Sequence, residues 1–138
     1  MGAADFSYLL ASQAGVFTRS QAVRSGIHSR EITRAIRQGE WVRVAGRAFV
    51  ISNCLIEAEQ LAWAAVLSVS GAVVRADSAL KLWRPDAPVP LPVIVQVATT
   101  TRHRAPVRIA PRKTVVLPDE RGDYRGIPVQ TVDAALVD

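Results

Sequence analysis

Between Ser29 and Arg43 the chain reads SREITRAIRQGEWVR, a stretch that leaves few ways to fold. Ile32, Ala35 and Ile36 recur at i, i+3 and i+4, the spacing of one apolar stripe on a helix. Arg30, Thr33, Arg34 and Arg37 fall on the opposite face. Ser29 is placed to cap the helix N-terminus, and Gly39 to adopt the left-handed conformation that ends it. WVRVAGRAFVI then follows, with β-branched content and alternation at Val42, Arg43 and Val44, which predicts two strands joined through Ala45-Gly46.

The residues before this stretch predict two more helices. In DFSYLLASQA (residues 5–14), Phe6, Leu9, Leu10 and Gln13 share a side and Gly15 closes the segment. Thr18 and Gln21 have the spacing of a capping box, opening a short helix from Arg19 to Ser25 that ends at Gly26. Three helices followed by a hairpin is the order of a winged helix-turn-helix, expected over residues 1–52. Beyond it, residues 53–138 read as a small α/β domain, so the fold class is α+β. Helices are expected at 55–69 and 76–83, irregular chain through the prolines of RPDAPVPLP, and strands at 93–98, 107–110, 114–118 and 127–131. VDAALVD is expected to be the opening turns of a longer helix. Trp63 and Trp83 are expected in the core, and Trp41 to pack the first wing strand against the third helix.

Charge locates the interesting surface. The net charge is +5 and the isoelectric point about 10.3, which favours acidic partners, nucleic acid first. Residues 1–52 hold seven arginines against three acids, whereas residues 53–138 hold ten basic residues against nine acids. The excess therefore sits in the first third. Fifteen of the seventeen basic residues are arginine, so arginine content alone is a weaker signal than arginine placement. A single cysteine, Cys54, excludes an internal disulfide and cannot hold zinc alone; it reads as a small buried hydrophobe. No stretch reads as a membrane span or a secretion signal, so a cytoplasmic protein is expected.

An arginine-faced helix fits the major groove of B-DNA, where each bidentate contact to guanine discriminates by about 1–3 kcal/mol. Thr33, Arg34 and Arg37 are the candidates for base contact, with Arg30 and Ser29 at the start of the same helix. Arg19 and Ser20, opening the preceding helix beside Thr18, and Arg43 and Arg47, flanking the wing turn, are the candidates for the phosphate backbone. TTTRHRAPVRIAPRK (99–113) is a second basic cluster, read as a solvated loop and edge strand, with an auxiliary phosphate contact or a protein-docking surface as the rival reading.

The sequence TRSQAVRSGIHSREITRAIRQGEWVRVAGRAFVI resembles the N-terminal winged helix of the AbiEi-type antitoxins of type IV toxin–antitoxin systems. The likeness covers about residues 10–52, and GAVVRADSALKLW and GIPVQTVDAALVD are similar to the middle region of those proteins. The resemblance implies a repressor that binds double-stranded DNA at its own operon, with a partner toxin of nucleotidyltransferase type. Some relatives continue into a nuclease domain, so the DNA-targeting front of a nuclease is an alternative, and a toxin- or protein-interaction module is another. Winged-helix repressors often pair on palindromes, so a homodimer is compatible with this reading.

Enzymatic signals are weak. SGAVVRAD (70–77) lacks the Gly-Ser order and second aspartate of a nucleotidyltransferase loop, and no Asp/Glu-x-Lys triplet marks a nuclease core. His28 and His103 stand apart from any cysteine or acid at metal-ligand spacing, and His28 reads as a surface or phosphate-facing residue. No catalytic set, metal site or cofactor motif is expected.

Overall fold

A computed structural model describes residues 3–51, 56–86 and 94–138. Cys54, the start of the helix expected from Leu55, and most of the proline stretch lie outside the described residues. The chain begins with helix α1 (Ala3–Ser12), two-residue strand β1 (Phe17–Thr18), and helices α2 (Arg19–Arg24) and α3 (Ser29–Arg37). The hairpin strands β2 (Trp41–Ala45) and β3 (Ala48–Ile51) follow, and the three strands form a sheet in the order β1-β3-β2.

Local chemistry sets these boundaries. The Thr18 hydroxyl accepts from the Gln21 amide while the Gln21 side chain accepts from the Thr18 amide, closing the expected capping box. Gly26 and Gly39 both have positive φ, 99° and 75°, and end α2 and α3. One expectation is corrected: His28, not Ser29, is the N-cap of α3. Its Nδ1 accepts from the Arg30 amide at 3.1 Å, so a ring nitrogen takes the orphan donor expected to be met by a hydroxyl. Ser29 is the first helical residue instead.

The hairpin is a wall between two cores. Phe17, Ala22, Ile32 and Phe49 are buried together, joined by Phe6, Leu9, Leu10, Ile36 and Trp41. Phe17 meets Trp41 edge-on at 4.7 Å and Phe6 at 5.1 Å, which ties α1 to the strands. Trp41 thus packs where expected, on the core that it shares with Ile32 and Ile36 of α3. The opposite strand face carries Val44, Ala45, Ala48 and Val50, buried with Leu61, Ala62, Ala64 and Ala65 of helix α4 (Ala58–Ser68). Such a helix, apolar nearly all round, is one covered on both sides, and α4 contacts both β2–β3 and the sheet beyond.

That second sheet has five strands in the order β6-β5-β4-β8-β7, built from β4 (Val73–Val74), β5 (Val95–Thr99), β6 (Ile109–Lys113), β7 (Arg121–Tyr124) and β8 (Ile127–Gln130). Helix α5 (Ala76–Trp83) lies where expected, and α6 (Val132–Val137) packs against it. One strand expectation needs correction, and one strand was not expected. Residues 114–118 form no strand: the Thr114 amide donates to Thr99 at the end of β5, and 115–118 pair with no strand among the described residues. A 3-10 turn over Pro118–Glu120 follows. Conversely, RGDY forms β7 although Gly and Asp are poor strand residues. It is held by its ladder to β8 and by Trp83, which lies over Gly122 and meets Tyr124 edge-on at 5.5 Å.

Trp83 and Trp63 both pack against the larger core, Trp83 donating its Nε1–H to the Gln130 carbonyl at 2.7 Å. Between α5 and α6 the buried Arg75 guanidinium grips the Asp138 carboxylate, Nε to Oδ2 at 2.7 Å. The hairpin turn falls on Gly46-Arg47 rather than Ala45-Gly46, because Ala45 pairs with Ala48.

Gly46 is where the two units press together. Its φ is +54°, its amide donates to the Val107 carbonyl at 2.7 Å, and a Cβ there would lie 2.6 Å from Ser68 Cβ and 2.8 Å from Ile109 Cδ1. Gly46→Ala therefore combines left-handed strain of about 1–2 kcal/mol with overpacking of about 1–3 kcal/mol. Gly39→Ala is the matched reference, since its φ is +75° but nothing lies within 4 Å of a Cβ. Urea unfolding is expected to show a loss of about 2–4 kcal/mol for Gly46→Ala and about half that or less for Gly39→Ala. Equal losses would mean that the hairpin turn is not pressed against α4 and β6.

Candidate nucleic-acid interface

The exposed face of α3 is built by periodicity and held by one arginine. Ile32 is fully buried and Ala35 nearly so, which turns Arg30, Thr33, Arg34 and Arg37 to solvent. These four, with His28, Ser29 and Gln38, line an open concavity of about 580 Å³. Arg19, at the start of α2, reaches across to α3. Its guanidinium donates to Ser29 Oγ at 2.8 Å, to the Ser29 carbonyl at 3.2 Å and to Thr33 Oγ1 at 2.9 Å. The Thr33 hydroxyl in turn donates to the Ser29 carbonyl at 3.1 Å. Arg19, Ser29 and Thr33 are thus committed to one another and fix the angle between the two helices.

The remaining arginines differ in how free they are. Arg34 donates to Gln38 Oε1 at 3.1 Å and lies 3.6 Å from Glu40, both on the surface. Arg43 stands over the Phe49 ring at 5.6 Å. The side chains of Arg30 and Arg37 have no hydrogen bond or ion pair among the described residues, although both are exposed. An exposed guanidinium without an internal partner keeps all five donors available.

A second recess connects the start of α2 to the hairpin turn, lined by Thr18, Arg19, Ser20, Arg24, Arg47 and Leu67. Arg47 is anchored there, its amide donating to Ser68 Oγ at 2.9 Å and its guanidinium to the Ser68 carbonyl at 3.2 Å. The hairpin turn is therefore seated on α4 and β6 rather than projecting into solvent. Arg24 joins this recess without having been singled out from the sequence. Its position in the last turn of α2, one helical turn after Ser20, was the available signal. The sequence gives no hint of the seat under Arg47, which depends on Ser68, 21 residues away.

Among the described residues there is no cluster of three or more His, Cys, Asp or Glu able to hold a metal, and no helix long and apolar enough to cross a membrane. The molecule is thus a helix-turn-helix-like unit, basic on its exposed third helix, followed by a mixed sheet domain. Residues 7–47 match the family model described as transcriptional regulator, AbiEi antitoxin, the same segment that carries the sequence resemblance. The matched segment runs from within α1 to the hairpin turn and holds every arginine of the α3 face and the recess. No curated protein matches the chain.

Proposed function

We propose that the chain is a non-catalytic, cytoplasmic transcriptional repressor of the antitoxin kind, which binds double-stranded DNA by seating α3 of a winged helix-turn-helix in the major groove. The observation that carries this reading is the pair of unpartnered guanidiniums, Arg30 and Arg37, on the exposed face of a helix held at a fixed angle by Arg19. Among the described residues only Arg34 of this face has an acid in reach, so two cationic heads stand on it without a counter-charge. Arg30 and Arg37 lie about 10 Å apart along the axis at 1.5 Å per residue, a span of about three base-pair steps. Arg34 exchanges its weak contacts with Gln38 and Glu40 for DNA. Thr33 and Ser29 position the helix through Arg19, and Ser20, Arg24, Arg43 and Arg47 face the phosphates. The family description supports the regulatory half of the reading, and a nucleotidyltransferase-type toxin is the partner that the resemblance implies.

The test is fluorescence anisotropy with a labelled duplex from the region upstream of the chain's own coding sequence, against a scrambled duplex, over a salt series. Neutralising about four phosphates gives a log–log slope near −3.6, and the upstream duplex is expected to bind more tightly. Steep but equal binding to both duplexes would remove sequence selectivity. Binding that is weak and insensitive to salt would remove the DNA reading and leave a protein-interaction module in its place.

A further inference from the structure

We infer that the loop of residues 100–108, between β5 and β6, is a second phosphate-binding element that supplies the contact a projecting wing would otherwise make. This inference rests on the DNA reading and adds to it a surface from the sheet domain. The seated wing turn raises the problem: with Gly46 pressed against Ser68 and Ile109, the hairpin tip is not free to enter a groove. What lies at that tip instead is the β5–β6 loop. Val107 accepts from the Gly46 amide at 2.7 Å, and the Arg108 guanidinium approaches the Val44 carbonyl at 3.5 Å.

Topology forces the loop to this place. β5 and β6 are parallel, with Val95 opposite Ile109 and Thr99 opposite Lys113. The connection must therefore return from the end of β5 to the level of its beginning in residues 100–108. Its return path meets the hairpin turn at Val107. The loop is internally tied: Thr99 Oγ1 donates to the Thr101 carbonyl, Thr101 Oγ1 bonds His103 Nε2 at 3.0 Å, and the Ile109 amide donates to Pro106 at 3.1 Å.

Its chemistry suits phosphate. Arg102, Arg104 and Arg108 are exposed, Arg102 and Arg104 have no hydrogen bond or ion pair among the described residues, and the sequence has no acid between Asp86 and Asp119. Arg19 joins the α3 face to the recess of Ser20, Arg24 and Arg47, and the Gly46–Val107 bond brings the end of this basic loop to the hairpin turn beside that recess. Flexible, acid-free arginines without base-edge geometry contribute affinity that is independent of sequence.

The experiment compares Arg102→Ala/Arg104→Ala with Arg121→Ala/Arg125→Ala, which removes the same charge from β7 and its turn at the opposite edge of the five-stranded sheet. Both variants are checked for unchanged circular dichroism and melting, then titrated with the upstream and scrambled duplexes over salt. The loop variant is expected to flatten the salt slope by about 1.8, to lose affinity equally on both duplexes, and to keep the preference between them. The β7 variant is expected to match wild type. Slopes equal to wild type in both variants, while wild type binds steeply, would overturn the loop's role and leave the α3 reading standing. Equal flattening in both would show a net-charge effect and overturn it too. If wild type shows no salt-dependent binding at all, the DNA reading fails and the loop's role with it.

Discussion

Arg30→Ala/Arg37→Ala is expected to weaken binding to the upstream duplex by roughly 30-fold to 10⁴-fold. The range follows from about 1–3 kcal/mol for each bidentate base contact, summed over two sites. Both side chains are exposed and unpartnered among the described residues, so the folded state loses little with them, and stability is expected to stay within about 0.5 kcal/mol of wild type. The same substitutions separate two roles. Arginines that read bases lower the upstream affinity far more than the scrambled, collapsing the ratio between them. Arginines that only neutralise phosphates lower both alike and flatten the salt slope by about 1.8. A variant indistinguishable from wild type on both duplexes would mean that α3 does not enter the groove. Thr33→Val is the informative companion, because it removes the hydroxyl that accepts from Arg19 and keeps both free guanidiniums. Its effect is expected to be smaller and to fall on helix orientation, lowering affinity without changing which bases are preferred.

What the sequence made legible here was local. The Thr18–Gln21 capping box, the glycines ending α2 and α3, the apolar stripe of Ile32, Ala35 and Ile36, and the full extent of α5 all depend on residues within a few positions of one another. The His28 cap is a near miss of the same kind: two adjacent polar residues compete for one role, and the imidazole nitrogen wins it by one position. The strands were harder because their partners are distant. β4 is two residues long and exists through pairing with Val97, Ala98 and Val129. β7 contradicts its own propensity and depends on Trp83, while 114–118 has strand-like composition but 115–118 pair with no strand among the described residues.

The candidate site divides in the same way. Helical spacing alone placed Arg30, Thr33, Arg34 and Arg37 on one face. Which of them is free was invisible, since that is decided by Arg19 ten or more residues earlier and by Gln38 and Glu40 capturing Arg34. The seat of Arg47 and the placement of the β5–β6 loop beside the hairpin arise only when the sheet domain closes over the strands.

A large, pH-dependent stability effect is expected at the pair that joins α5 to α6. Arg75 is 7% exposed, and its guanidinium bonds the Asp138 carboxylate through both Nε and a terminal nitrogen. Asp138→Ala leaves a buried guanidinium without its counter-charge; because Asp138 itself is exposed and admits water, the cost is about 1–3 kcal/mol. The Arg75 hydrogen bonds hold the Asp138 carboxyl below its ordinary value, against the opposing effect of burial, and the Arg75 charge, Gln130 and Arg112 add to the lowering. A carboxyl lowered in the folded state stabilises the fold above the unfolded value, about 4, and this contribution is lost as pH falls through the lower folded value. Denaturant unfolding at pH 7 should therefore show a wide gap between wild type and Asp138→Ala, and the gap should narrow below pH of about 4 as the wild-type carboxyl takes up its proton. Arg75→Met is expected to lose less, because it removes the buried charge and leaves Asp138 in partial contact with water. The double variant should then recover part of what Asp138→Ala alone loses, since no unpaired cation remains. A gap that is constant with pH, together with losses that simply add in the double variant, would mean that these side chains contribute packing at the α5–α6 contact and not an ion pair.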